Sequence, residues 1–206
     1  MRMRASLFAI VGRVRPFYAA ALLLFLAGAA LGWLFADRLG AVLDPLVRSL
    51  RVEALALRHD TVWGLMFELF YNNLRVSLLM LFGGIAFGLL PAAGALANGA
   101  LVGYVLALAA ARAGVNPMLM LAAGVLPHGV FEIPAYLLAS AFGLKLGWLA
   151  ARSLAGREVR EAWKSTGREL APAILWVMGL LAVAAAVEST VTPALLRAAA
   201  GGHAPL

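Results

Sequence analysis

Long apolar runs, separated by a few charges, prolines and glycines, dominate the pattern of this chain. Phe17 to Ala36 forms the first run, preceded by Arg2, Arg4, Arg13, Arg15 and Pro16 and stopped by Asp37-Arg38. It reaches the roughly 20 residues that a helix needs to cross a hydrocarbon core. A cleaved signal peptide has a shorter apolar segment, roughly 7–15 residues, so the run predicts a first span at 17–36. Residues 37–60 then balance four acids against four arginines around Pro45. Within them, Leu46 to Leu57 has apolar residues at helical spacing and predicts an amphipathic helix lying at the membrane interface.

From Thr61 to Leu90 the apolar sequence is interrupted by Glu68, Asn72, Asn73 and Arg75. This predicts an interfacial or re-entrant half-helix at 62–72 leading into a second span at 74–90, with one long tilted helix as the alternative. Pro91-Ala92-Ala93-Gly94 reads as a turn, and a third span follows at 95–111, closed by Arg112, Gly114 and Asn116-Pro117. Met118 to Leu146 is too long for one straight span and contains Pro127 and Pro134. An internal proline removes a backbone donor and kinks or breaks a helix, so the fourth span at 118–146 is expected to be broken. Residues 150–171 read as a polar, partly helical connection, and 171–191 as the fifth span. The expected fold is all-α, a polytopic transmembrane helix bundle of about five spans, with one broken or re-entrant helix and an amphipathic interfacial helix. Its organisation is a basic N-terminus at 1–16, one transmembrane domain at 17–195 and a tail at 196–206.

Composition sharpens this picture. The chain is 64% hydrophobic and 13% charged, with a mean hydropathy of +0.92, whereas a soluble domain has roughly 25% charged residues. A net charge of +7 would suggest nucleic acid in a soluble protein. Here ten of the seventeen Lys and Arg fall at 1–15 and 145–168, the pattern of cytoplasmic loops meeting anionic lipid headgroups. The expected partners therefore include membrane lipids and not nucleic acid. The expected location is the inner (cytoplasmic) membrane, with the N-terminus in the cytoplasm and the C-terminus outside. With no cysteine, a thiol nucleophile and a Cys-based metal site are excluded.

Chemistry concentrates in Leu126-Pro127-His128-Gly129-Val130-Phe131-Glu132-Ile133-Pro134-Ala135. A charged side chain at the centre of a span costs roughly 2.5–3.5 kcal/mol on insertion scales, so two ionisable groups here call for a reason. His128 and Glu132 share a helix face at i and i+4 and suit one cation, and Glu188 and Glu68 are further intramembrane carboxylates. A divalent metal is the cofactor this set would take, with zinc favoured because it commonly uses three such ligands. The alternatives are a hydrogen-bonded polar cluster that locks the bundle and a proton or ion path. No H-E-x-x-H motif is present. Asn72, Asn73, Arg75 and Asn98 read as structural polar residues that bridge helices. The pairs Gly84 and Gly88, Gly99 and Gly103, and Gly143 and Gly147 have helix-packing spacing, either within the chain or on a homodimer face.

At these residues the chain resembles the stage II sporulation protein M family. The resemblance runs through Phe70-Tyr71-Asn72-Asn73-Leu74-Arg75-Val76, Gly83-Gly84-Ile85-Ala86-Phe87-Gly88, Asn98-Gly99, the His128 segment, and Glu188 followed by Val191-Thr192-Pro193. It covers roughly residues 60–195. It implies a polytopic membrane protein whose namesake works in forespore engulfment during sporulation, anchoring a complex with two peptidoglycan-degrading partners. The leading expectation is thus a membrane scaffold that recruits cell-wall hydrolases. A membrane-embedded metal-binding protein or metalloenzyme is the second reading, and a small ion transporter or channel the third. An enzyme is the less favoured class, since the chain shows no soluble hydrolase domain.

Overall fold

In the computed structural model, residues 6–56, 61–111 and 116–199 are described. Eight α-helices follow in order among these residues: α1 (Leu7–Arg13), α2 (Arg15–Leu34), α3 (Ala36–Ala56), α4 (Val62–Gly83), α5 (Leu89–Ala111), α6 (Pro117–Met120), α7 (Leu126–Leu154) and α8 (Arg160–Ala199). A single π-helical turn, Leu121–Val125, joins α6 to α7. No strand occurs among the described residues. Five segments are long and apolar enough to cross a membrane, Arg15–Leu34, Val62–Gly83, Leu89–Ala111, Met118–Leu154 and Arg160–Leu196, so the chain is the all-α polytopic bundle its pattern predicts.

Several boundaries differ from the sequence reading, each for a local reason. The half-helix at 62–72 and the first part of the span at 74–90 are one helix, α4, as the long-helix alternative has it, but it ends at Gly83. The Thr61 hydroxyl caps its start by accepting from the Gly64 N–H at 3.2 Å, and Asn72 and Asn73 pass through it without a break. The reversal comes instead at 84–88, where Phe87 and Gly88 take φ values of 58° and 73°, a region that glycine enters without a steric penalty. Pro91 is accordingly not in a turn. It sits in the first turn of α5, where a missing N–H costs nothing.

The interfacial helix expected from Leu46 is longer, Ala36–Ala56, and runs through Pro45; Leu57 lies outside the described residues, as do Arg112 and Gly114. The fourth span is broken, but at the π-helical turn rather than at a proline. Pro127 stands at the start of α7, and Pro134 is carried inside it. The 150–171 connection shrinks to a short link, because α7 ends at Leu154 and α8 starts at Arg160. Gly156, at φ 68°, ends α7, with the Gly156 N–H donating to the Ser153 carbonyl and the Arg157 N–H to the Arg152 carbonyl, both closing the last turn.

α7 is the hub. Residues 135–143 are buried without interruption, as expected of a helix that is apolar or small all round. One core cluster joins it to α1, α4 and α8 through Ile10, Leu81, Leu138, Phe142 and Leu181. A second joins it to α2 and α5 through Phe25, Ala95, Tyr136 and Leu137. Lipid offers no hydrophobic drive between helices, so close backbone approach supplies the packing. A Cβ on Gly28 or Gly32 of α2 would overlap the Leu96 or Ala100 carbonyl of α5, and one on Gly99 or Gly103 would overlap the Phe25 or Ala29 carbonyl. A Cβ on Gly84 would overlap the Gly143 carbonyl, and one on Gly147 would overlap the Gly88 backbone nitrogen. All the predicted glycine pairs therefore pack within the chain.

The antiparallel succession sorts the connections into two ends. α1, the 84–88 reversal and the α7–α8 link share one end, where Glu169 of α8 binds Lys145 of α7 at 3.0 Å and Arg13 of α1 at 3.7 Å. α3, the π-helical turn and the end of α8 share the other, where the Tyr104 hydroxyl of α5 donates to Asp44 of α3 at 2.6 Å. Replacing Gly99 by Leu is expected to force α2 from α5 and lower stability by about 2 kcal/mol or more. Gly179→Leu, at a site with nothing within 4 Å of an added Cβ, is expected to change little. Thermal unfolding of detergent-solubilised protein compares the two.

Candidate metal centre

The site is built where the start of α7 meets the end of α8. His128 and Glu132 lie one turn apart on α7, Glu188 and Thr192 one turn apart on α8, and the antiparallel pairing of the helices brings the two rows together. One ligand atom from each of His128, Glu132 and Glu188 lies within 4.8 Å of the others, and all three residues are half-buried. Zinc ligands stand about 2.0–2.1 Å from the ion, hence roughly 3.4 Å from each other in a tetrahedron, so small side-chain rotations close the group around a cation. His128 Nδ1 lies 3.3 Å from the Thr192 hydroxyl, which fixes the ring plane. Two carboxylates this close repel each other strongly in lipid, and a cation or a shared proton relieves the repulsion.

The other predicted polar residues lie elsewhere. Glu68 is exposed on α4 and is not among that group. Asn72 and Arg75 are also exposed on α4, and Asn73 is half-buried. Asn98 of α5 is half-buried beside Tyr136 of α7, whose hydroxyl reaches the α5 backbone near Gly94. Thr192 was not singled out from the sequence as part of the site, although its i+4 spacing from Glu188 repeats that of His128 and Glu132. The Lys145–Glu169 pair, with side chains 14% and 12% exposed, and the Tyr104–Asp44 bond are likewise new, and no spacing signal marks either.

The fold and this site together define a class, a polytopic helical membrane protein with one imidazole and two carboxylates gathered between two of its spans. Residues 21–193 match the family model for stage II sporulation protein M. The chain belongs to that family, as the resemblance implied. It is also similar to an uncharacterized protein of Methanocaldococcus jannaschii, with 30% identity over 122 residues that make up 59% of this chain and 67% of the relative. No solved structure matches.

The absence of native cysteine makes the geometry easy to test. With cysteines at 128 and 188, a short bifunctional thiol reagent is expected to join α7 to α8, detected as a joined fragment after cleavage in the link at 155–159. The pair 68 and 188 is expected to stay unjoined.

Proposed function

We propose that this protein is a membrane scaffold that holds peptidoglycan-degrading partners at the outer face of the bilayer, for cell-wall remodelling of the engulfment type. The observation that carries this reading is a polar stripe on the outer side of α4. Glu68, Asn72 and Arg75 stand at i, i+4 and i+7, so they share one face, and all three are exposed. None of them makes a hydrogen bond or ion pair among the described residues. Arg75 is fourteenth of the 22 residues of α4, near mid-bilayer. There an unanswered charge costs roughly 2.5–3.5 kcal/mol, and a partner helix with complementary groups at matched depth removes that cost. Trp63 and Phe67, 75% and 65% exposed, and Tyr71, stacked on Phe67, flank the stripe with the aromatic surface that interfaces favour.

The orientation follows the charge. The end that carries α1 and the α7–α8 link also holds Arg13, Arg15 and the basic cluster at 145–168, so it faces the cytoplasm. The metal centre then lies toward the outer face, as does the C-terminal end of α8. A second reading, a protein that depends on a bound divalent metal with zinc favoured, is supported by the convergence of His128, Glu132 and Glu188.

Photo-crosslinking amino acids at 68, 72 and 75 in the native host test the scaffold reading. Adducts containing a membrane-associated wall hydrolase are expected at these positions and not at Leu23, which is 67% exposed on α2. Lipid adducts alone at all four positions would contradict it.

A further inference from the structure

We infer that the His128–Glu132–Glu188 group is an open metal site, with three protein ligands and a fourth position that takes a water-sized donor from the outer aqueous side. The inference rests on the second reading above and adds its coordination. The first support is charge. Two carboxylates and a neutral imidazole exactly neutralise a divalent cation, so the occupied site carries no net charge into the bilayer, where a net charge is expensive. A fourth anionic ligand would upset that balance, and among the described residues no other His, Asp or Glu joins the group.

The second support is donor chemistry. Closed structural zinc sites have four protein ligands, whereas three ligands of the His and Glu type leave one position for water or a small molecule. A ring nitrogen favours zinc or cobalt over calcium or magnesium, which take oxygen donors in larger number. The third is access and aim. The three ligands are half-buried rather than sealed. Thr192 stands at 3.3 Å from Nδ1, and when Nδ1–H donates to its hydroxyl, the Nε2 lone pair is free for the metal. Thr192 is thus a positioning residue, the counterpart of the groups that orient metal-bound histidines elsewhere. The π-helical turn ending at Val125 lies two residues before Pro127, and such turns often mark functional sites in helices.

The test uses the full chain in lipid nanodiscs loaded with Co2+, whose visible absorption reports coordination number. The expected result is one cobalt per chain, a four-coordinate spectrum, and a shift of that spectrum on adding azide. His128→Ala and Glu188→Gln are expected to abolish retention of the ion, while Glu68→Gln keeps it. Thr192→Val is expected to weaken affinity about tenfold, with Thr192→Ser restoring it. Circular dichroism confirms that each variant is folded. Cobalt bound with a spectrum blind to azide overturns the open position and leaves the metal reading standing. A folded native chain that retains no cobalt or zinc overturns the metal reading itself.

Discussion

Hydrocarbon cannot hydrogen-bond, so every polar group that these helices carry into the bilayer has to be answered by protein, by a guest, or by a neighbour in the membrane. The structure answers them in different ways. Glu169 takes Lys145 and Arg13 at one end of the bundle, and Tyr104, 2% exposed, takes Asp44 at the other. Those contacts tie α1 and α3 to the spans. His128, Glu132 and Glu188 face one another across α7 and α8. Glu68, Asn72 and Arg75 face outward. The first two contacts are complete within the chain. The other two groups carry the proposed metal and the proposed partner.

The same constraint explains why the centre can be rigid. With lipid on the outside, helices gain little by hiding apolar side chains from it, and they gain by fitting closely. The glycine contacts between the 84–88 reversal and α7 seat α7 on one side, and α2 and α5, clamped together by their own glycines, pack on Tyr136 and Leu137 on another. α7 contributes two of the three clustered side chains, so its fixed position carries over to them. α8 supplies the third member, Glu188, from a 40-residue helix, which at about 1.5 Å per residue is some 60 Å long, about twice the hydrocarbon thickness. It therefore links the basic end, through Glu169, to the His128–Glu132–Glu188 group, through Glu188, in one continuous helix.

The sequence made the spans legible because apolar length is a strong signal, and His128 with Glu132 because four residues is one helical turn. It misplaced the α4–α5 reversal because Pro91 and Gly94 look like a turn, while the deciding positive φ falls at Phe87 and Gly88. It expected the break in the fourth span at a proline, yet Pro127 begins a helix and the irregularity precedes it. Glu68 lies toward the same end of the bundle as the cluster, and depth is what a linear reading can judge. Helical phase relative to the other spans turns it away, and phase depends on packing. Lys145 and Glu169 are 24 residues apart on different helices, a pairing that follows only from the close link between α7 and α8.

The most direct test of the central claim is X-ray absorption at the zinc edge on protein purified from its own membranes with zinc present. The account predicts about one zinc per chain, with nitrogen and oxygen donors at about 2.0–2.1 Å and an imidazole contribution that disappears in His128→Ala. A zinc shell without imidazole, or one unchanged by that substitution, would contradict it.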